Sequence, residues 1–567
     1  MKSLIIAAIS TLFALPLSAQ EGLTLYQPFG STTTVLVDDG GTVVHNWLGT
    51  ATPALSVYLL PDGDLLRSIG TQGFGGGAGV GFERLSYDGV IEWQYSLSTA
   101  TLTPHHDLTA LPNGNVLLVI WEEVGPAAAI AAGRNPANLG NGFRPDTIFE
   151  IEQTGPTSGA VVWEWHSFDH LVQDFDPSLP NYGVVADHPE RIDINYGGNN
   201  DWLHVNGIDY NANFDQIALA VPHFDEIWII DHSTSTAEAA SSTGGTSGKG
   251  GDLLYRWGNP EAYGRGTAAD RVFYFIHDVQ WIEDGRPGAG NLTVFNNGRS
   301  RPVGGDWSSA DEWTPPVDAL GNYSLSPGAA FGPSELTWTY SDIGNFFSHI
   351  MGGVERLENG NTLIVEGTSS HLFEVDEGGT IVWTHINTDG TPPWVFKARR
   401  YADCDTNLVA DNHDIATGAG SDGNGNGVLD SCESPSNYCN AVANSTGQPA
   451  RMGWSGSTSL AMNNLGLSVS NCPSNAFGLF AFSPNQGRSS VGDGILCIDS
   501  PVIRLSPVLQ TTGSGIAQFT LDNQDLPASA PILTAGATWN FVFWFRDSAG
   551  GPAGFNFSDG LSVLFTE

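Results

Sequence analysis

Several of the fourteen histidines stand in polar and aromatic strings that lie far apart in the chain and share a pattern. Trp202-Leu-His204-Val-Asn206-Gly-Ile-Asp209-Tyr210, Phe275-Ile-His277-Asp278-Val-Gln280-Trp281 and Gly367-Thr-Ser-Ser-His371-Leu-Phe373 are three of these strings. A fourth, Pro104-His105-His106-Asp107, precedes the hairpin LPNGNVLLV (111–119) as His277-Asp278 precedes its own. Imidazole is a nucleophile when neutral, and an acid and base near neutral pH. One histidine alone reads best as a hydrogen-bonded structural residue; several at equivalent places in a repeat point to one shared site. Other chemistries lack their patterns. Gly244 to Gly250 resembles a phosphate loop without the first glycine or the closing Ser or Thr, and Gly73 to Gly79 leads into a strand instead of a helix. There is no G-x-S-x-G elbow and no H-E-x-x-H helix.

Single residues from distant segments can meet only if a repeated scaffold converges on one axis. A turn with glycine, then alternating apolar residues ending in tryptophan, occurs six times: GGTVVHNW (to Trp47), DGVIEW (to Trp93), GAVVWEW (Trp163, Trp165), GDLLYRW (to Trp257), ELTW (to Trp338) and GGTIVW (to Trp383). Between them lie partner strands such as LPDGDLLR (60–67), LPNGNVLLV (111–119) and ENGNTLIVEG (358–367). The expected fold is all-β: a six-bladed β-propeller over residues 20–398, since small sheets that cannot bury both faces alone stack around a common axis. A set of β-sandwiches is the alternative.

Composition agrees with a large exported β protein. The chain has 567 residues, 41% hydrophobic, with 70 glycines and 17 tryptophans, and 61 acidic against 21 basic residues give a net charge of −40. Such a surface repels polyanions, which argues against nucleic acid as a partner. Residues 1–19 read as a signal peptide: Met1-Lys2-Ser3, an apolar run to Leu17, and Ser18-Ala19 before cleavage. No later stretch is long and apolar enough for a membrane span, so a periplasmic or secreted location is expected. The five cysteines all fall after residue 400; Cys404 with Cys432 and Cys439 with Cys497 are the expected bridges, leaving Cys472 free.

Residues 399–435 form an expected calcium-binding linker. Asp422, Asn424, Asn426, Asp430 and Glu433, with Gly427 at the sharp turn, fit the twelve-residue calcium loop. Asp403, Asp405, Asn407, Asp411 and Asp414 repeat the oxygen spacing with Leu408 in the glycine place. Structural Ca²⁺ would neutralise the crowded carboxylates; a solvated acidic linker is the alternative. Residues 436–567 read as a separate C-terminal β-sandwich of unassigned role.

At its histidine strings the sequence resembles the bacterial arylsulfate sulfotransferase family. The likeness covers about residues 22 to 390, through DWLHVNGIDYNANFDQIALA, FIHDVQWI, NLTVFNNGRSRP and GTSSHLFEVDEGG. It implies an exported six-bladed propeller that moves a sulfuryl group from an aryl sulfate donor to a phenolic acceptor, with no cofactor for catalysis. It also implies His371 as nucleophile, His277 as general acid/base and His204 as a group holding the sulfuryl oxygens. The family arginine follows an F-D-N-G string, here Phe295-Asn296-Asn297-Gly298, which selects Arg301 with Arg299 as rival. The family's small domain before the propeller has no counterpart, and the calcium loops and C-terminal region are additions.

These residue types suit the reaction on their own terms. A neutral imidazole attacks sulfur to give a sulfohistidine, a second exchanges the phenol proton, and a guanidinium fork with a third imidazole stabilises the sulfuryl oxygens, each such contact worth roughly 2–4 kcal/mol in a dry site. Two other functions compete. One is a non-catalytic propeller that binds a glycan or protein, its C-terminal region serving as a protein-partner module; the paired loops also resemble dockerin-type calcium repeats. The other is a pyrroloquinoline quinone dehydrogenase, which uses more blades than six.

Overall fold

The computed structural model describes residues 19–52, 55–70, 77–140, 142–197, 200–420, 429, 435–439, 441–455, 458, 460, 462–527, 532–534 and 537–565. The signal-peptide reading of residues 1–19, apart from Ala19, and the calcium loop 422–433, apart from Leu429, therefore lie outside the described residues. Two compact units are present, residues 1–413 and 414–567.

The first unit contains six four-stranded antiparallel sheets that follow one another along the chain. Their first strands, in sheet order, are Val395–Tyr401, Val57–Leu59, Leu102–Ala110, Gly207–Asn211, Ile276–Trp281 and Gly353–Arg356. The strand nearest the C-terminus of the unit pairs with Leu23–Pro28, so the first sheet is built from both ends of the unit. That pairing closes a propeller-like ring.

The recurrent tryptophans explain how neighbouring sheets are joined. Trp47, Trp93, Trp165, Trp257, Trp338 and Trp383 all lie on the fourth strand of their sheet. Each indole N–H donates to a backbone carbonyl beside the third-to-fourth strand connection of the next sheet: Ser86, Ser158, Gly251, Pro333, Glu377 and, for Trp383, Asp39 of the first sheet. A buried indole brings a large apolar area, and its N–H must find an acceptor. The neighbour's turn supplies one, so a single residue type fastens the ring six times.

In the second unit the strands Ser436–Tyr438, Gly560–Leu564, Thr538–Arg546, Phe477–Ser483 and Ile503–Arg504 run side by side in one sheet, and Arg451–Ser455, Gly466–Ser470 and Ala517–Thr520 form another. Phe480, Phe482, Phe541 and Phe543 of the first share a core with Met452, Leu467 and Val469 of the second. Cys439 and Cys497 are disulfide-bonded, Cys472 is free and buried, and Cys404 is also in a disulfide. Among the described residues no helix is long and apolar enough to cross a membrane.

Candidate active site

The six first strands meet on a buried charge network. Lys397 Nζ lies 2.6 Å from Asp107 Oδ2, 2.9 Å from Asp278 Oδ1 and 2.8 Å from the Tyr58 hydroxyl. Arg399 grips Asp278 with both terminal nitrogens, at 2.6 and 3.0 Å. The Ile208 N–H donates to Asp107 and the Val354 N–H to Asp278. Every sheet thus contributes at least one group, and the first contributes two. Two carboxylates face two cations, so the network is neutral and its buried charges are compensated. Burial would raise the Asp278 carboxyl, but Arg399 and Lys397 hold it below its ordinary value.

One residue before each aspartate stands a histidine, and the backbone there is bent to aim it. In the third sheet the pairing passes from Pro104–Ile120 to Leu108–Leu118, leaving extra residues at His105, His106 and Asp107. In the fifth it passes from His277–Phe295 to Gln280–Thr293. His106, His204, Phe275, Asp278 and Met351 all have φ between +51° and +61°. Non-glycine residues in that region are uncommon, and bulges re-aim side chains near functional sites. Gly77 makes room for the result: a Cβ there would lie 2.6 Å from His106 Nε2.

The imidazoles of His106, His204, His223 and His277 gather at this end of the strands. The His106 and His204 rings are 4.5 Å apart edge to face, and His223 stacks on His204 at 4.9 Å. Phe275 and Phe396 both flank His277, and Phe275 also borders His204. His204 Nδ1 lies 2.5 Å from Asp201 Oδ2, and His223 Nδ1 lies 2.6 Å from the Asp201 carbonyl. Burial opposes ionisation of Asp201, yet the His204 hydrogen bond and charge keep its carboxyl below the usual value.

His277 has a defined tautomer. The Asn297 amide nitrogen donates to the carbonyls of Ser348 and Met351, so its oxygen faces His277 Nδ1 at 2.6 Å and accepts a hydrogen from it. Nε2 is left with the lone pair, which accepts a hydrogen bond from the Met351 N–H at 3.3 Å. Burial pushes His277 down to about 3 and His223 to about 4, so both are neutral at ordinary pH.

The structure brings His204 and His277 together but not the other two expected residues. His371 opens the third strand of the sixth sheet, His371–Val375, bonded to the Thr384 hydroxyl at 2.7 Å, 3.5 Å from Glu366 and stacked on Phe373. The histidines of the cluster come from first strands and from turns of other sheets; His371 sits two strands away from the axis. Arg301 is turned away as well: its Nε donates to the Trp307 carbonyl, and its guanidinium lies 3.6 Å over Trp307 and 5.3 Å from the Tyr274 ring. Arg299 is the arginine on the histidine side, exposed and 4.3 Å over the Phe275 ring. His106, His223, Asp146 and Asp201 had no assigned role; only the His106-Asp107 string signalled one, through its parallel with His277-Asp278.

Asp403, Asp405 and Asp411 bring carboxylate oxygens within 4.8 Å of one another, a set that fits a divalent cation. Asn407 caps this loop, its N–H donating to Asp403 and Asp405, and the Leu408 N–H donates to Asp403. Asp414 lies on the short helix Asp411–Thr417. Asp422, Asn424, Asn426, Asp430 and Glu433 are outside the described residues.

The family model for arylsulfotransferase (ASST) matches residues 31–395. No curated protein matches the chain. Among solved structures, the chain is similar to a protein of unknown function from Bacteroides caccae, at 13% identity and TM-score 0.38, over 67% of this chain and 99% of that one. It is also similar to the β-propeller domain of Cps50 (Swd1) from Myceliophteria thermophila, at 10% identity and TM-score 0.33 over 66% and 88%. Virginiamycin B lyase from Staphylococcus aureus gives 12% identity and TM-score 0.32 over 66% and 84%.

Proposed function

The chain belongs to the arylsulfotransferase family, and on that premise we propose that it is an exported six-bladed propeller that transfers a sulfuryl group from an aryl sulfate to a phenol through a sulfohistidine, with no nucleotide cofactor. The observation that carries the mechanism is the clustering of neutral imidazoles, with Asn297 fixing the lone pair on His277 Nε2, where attack on sulfur replaces the Met351 N–H contact.

In this reading His277 Nε2 attacks sulfur. The N–S bond forms as the S–O bond to the aryl group breaks, and the departing phenolate oxygen takes a proton from Nε2 of His204. Asp201 accepts from Nδ1 of His204 and stabilises its imidazolium form, so the same pair withdraws the proton of the incoming phenol. The acceptor oxygen then attacks sulfur, and the electron pair of the N–S bond returns to His277. Arg299 is the donor nearest the sulfuryl oxygens; Phe275 and Phe396 give the aromatic rings an apolar border. His204 thus takes the acid/base role, and the nucleophile is His277 in place of His371.

The test is incubation with a chromogenic aryl sulfate and a phenol acceptor. His277→Ala should lower kcat by roughly 10³-fold or more, and mass spectrometry should find the added sulfuryl group on the peptide holding His277. Label on the His371 peptide would reject this assignment, and no transfer across a broad donor panel would reject the activity.

We also propose that Asp403, Asp405 and Asp411 hold a structural Ca²⁺, and that residues 436–567 form a β-sandwich. Chelation should lower Tm by about 1 °C, the effect of about 1 kcal/mol in a unit of this size. Asp405→Asn should abolish the difference; a Tm indifferent to chelator and Ca²⁺ would reject the site.

A further inference from the structure

The reaction as drawn leaves unused a chain of three buried groups beside it. Asp146 Oδ1 lies 2.7 Å from His105 Nε2, an ion-pair contact whose two atoms make no hydrogen bond in this conformation, and His105 Nδ1 is hydrogen-bonded to His106 Nδ1 at 2.8 Å. All three residues are buried. The His105 ring lies flat on Trp121, 4.0 Å away with 8° between the planes, which fixes the line of the chain. His106 ends it against the His204 ring. Two nitrogens 2.8 Å apart share one hydrogen, so the tautomers of His105 and His106 cannot be chosen separately.

We propose that Asp146, His105 and His106 form a proton relay in which the protonation of Asp146 decides which nitrogen of His106 carries hydrogen. With Asp146 ionised, His105 Nε2–H donates to the carboxylate, His106 Nδ1–H donates to His105 Nδ1, and His106 Nε2 presents a lone pair to the cluster. A proton arriving at His106 Nε2 sends the Nδ1 hydrogen of His106 to His105 Nδ1 and the Nε2 hydrogen of His105 to Asp146. One proton is taken up, three N–H or O–H bonds form, two N–H bonds break, and both rings end neutral. Asp146 and His105 are therefore positioning residues, acting on the reaction centre only through His106.

The surroundings favour storing the proton on the carboxyl. Asp201 and Arg144 face both Asp146 and His105, and His204 also faces His105; His204, His223 and His277 face His106. Burial pushes Asp146 well above the usual carboxylate value and both imidazoles well below theirs, so neither ring holds a charge. The catalytic consequence rests on the sulfuryl-transfer reading above; the tautomer coupling does not.

The experiment is a pH titration of the ¹⁵N-histidine-labelled full chain, with tautomers read from long-range ¹H–¹⁵N correlations and His106 assigned by His106→Gln. In the wild type His106 should pass from Nδ1–H at high pH to Nε2–H at low pH. Asp146→Asn should hold His106 as Nε2–H throughout, because the backbone N–H groups of His204 and Val205 face the side-chain oxygen and turn the amide nitrogen to His105. A wild type with one tautomer at every pH overturns the relay, as does an Asp146→Asn chain that titrates like wild type. The wild-type titration decides by itself should the variant fail to fold. In turnover assays Asp146→Asn should flatten the pH profile of kcat with KM changed by less than about twofold. A chain that transfers no sulfuryl group but shows the tautomer switch would reject the activity and keep the relay.

Discussion

The outer and inner strands of the first unit solve opposite problems. Outer strands such as Val43–Leu48, Ile91–Ser96 and Ile381–Ile386 carry exposed residues on one side and a tryptophan whose N–H reaches the next sheet. Inner strands carry buried lysine, arginine, aspartate and histidine, broken ladders and left-handed residues. Each left-handed non-glycine residue costs of order 1–3 kcal/mol and persists only where its surroundings over-determine it. The repeated rim is what over-determines it: six similar joints hold the ring so that the starts of four inner strands can be strained toward one point. The repeated joints and the chemistry are thus separated by radius, and substitutions at the two radii should fail differently.

The largest expected loss of stability lies at the axis. Lys397→Met removes the cation shared by Asp107 and Asp278; Asp278 keeps Arg399, but Asp107 keeps only the Tyr58 hydroxyl and the backbone N–H groups of Ile208 and Leu108. An uncompensated buried charge costs about 3–5 kcal/mol, measurable by denaturant unfolding. Removing the carboxylate as well, in Lys397→Met/Asp107→Leu, should recover most of that loss. If the double variant is no more stable than the single one, the network is holding the strand starts by geometry and not by charge balance.

The same division explains what could be read from residues alone. The tryptophan strings were legible because one joint recurs six times and needs the same side chain each time. His204 and His277 were legible because each stands in an aromatic and polar string at the start of a first strand. His371 stands in a similar string, but Glu366 closes the second strand of its sheet and the turn through Ser369 and Ser370 delivers it to the third. Strand rank within a sheet is a property of topology, and composition does not carry it. His223 lies in a turn between Gln216–Val221 and Glu226–Asp231 with no motif around it, and Asp146 and Asp201 acquire meaning only from the imidazoles they touch. Arg299 and Arg301 could not be separated by counting, since the choice turns on which aromatic ring each guanidinium covers.

A smaller effect should follow at the rim. Trp383→Phe keeps an aromatic ring but loses the hydrogen bond to the Asp39 carbonyl, the joint between the sixth and first sheets. A lost hydrogen bond plus a small cavity amounts to about 1–2 kcal/mol. Trp93→Phe, which breaks the equivalent joint between the second and third sheets, should cost the same within about 0.5 kcal/mol, because the closing strand Val395–Tyr401 already ties the ring shut. A much larger loss for Trp383→Phe would show that the closure depends on its indole. Neither variant should change KM for an aryl sulfate, since neither tryptophan touches the histidine cluster.

The smallest effect is expected at His371, and it separates the two radii most sharply. Its contacts are Thr384, Glu366 and the Phe373 ring, all within its own sheet. His371→Ala should cost no more than about 1 kcal/mol of stability, the worth of one partly exposed hydrogen bond. It should leave kcat and KM for aryl sulfate transfer within about twofold, against the loss of three orders of magnitude predicted for His277→Ala. A collapse of turnover in His371→Ala with unchanged unfolding would mean that a third-strand residue reaches the reacting atoms, and the confinement of chemistry to the inner strands would then be wrong.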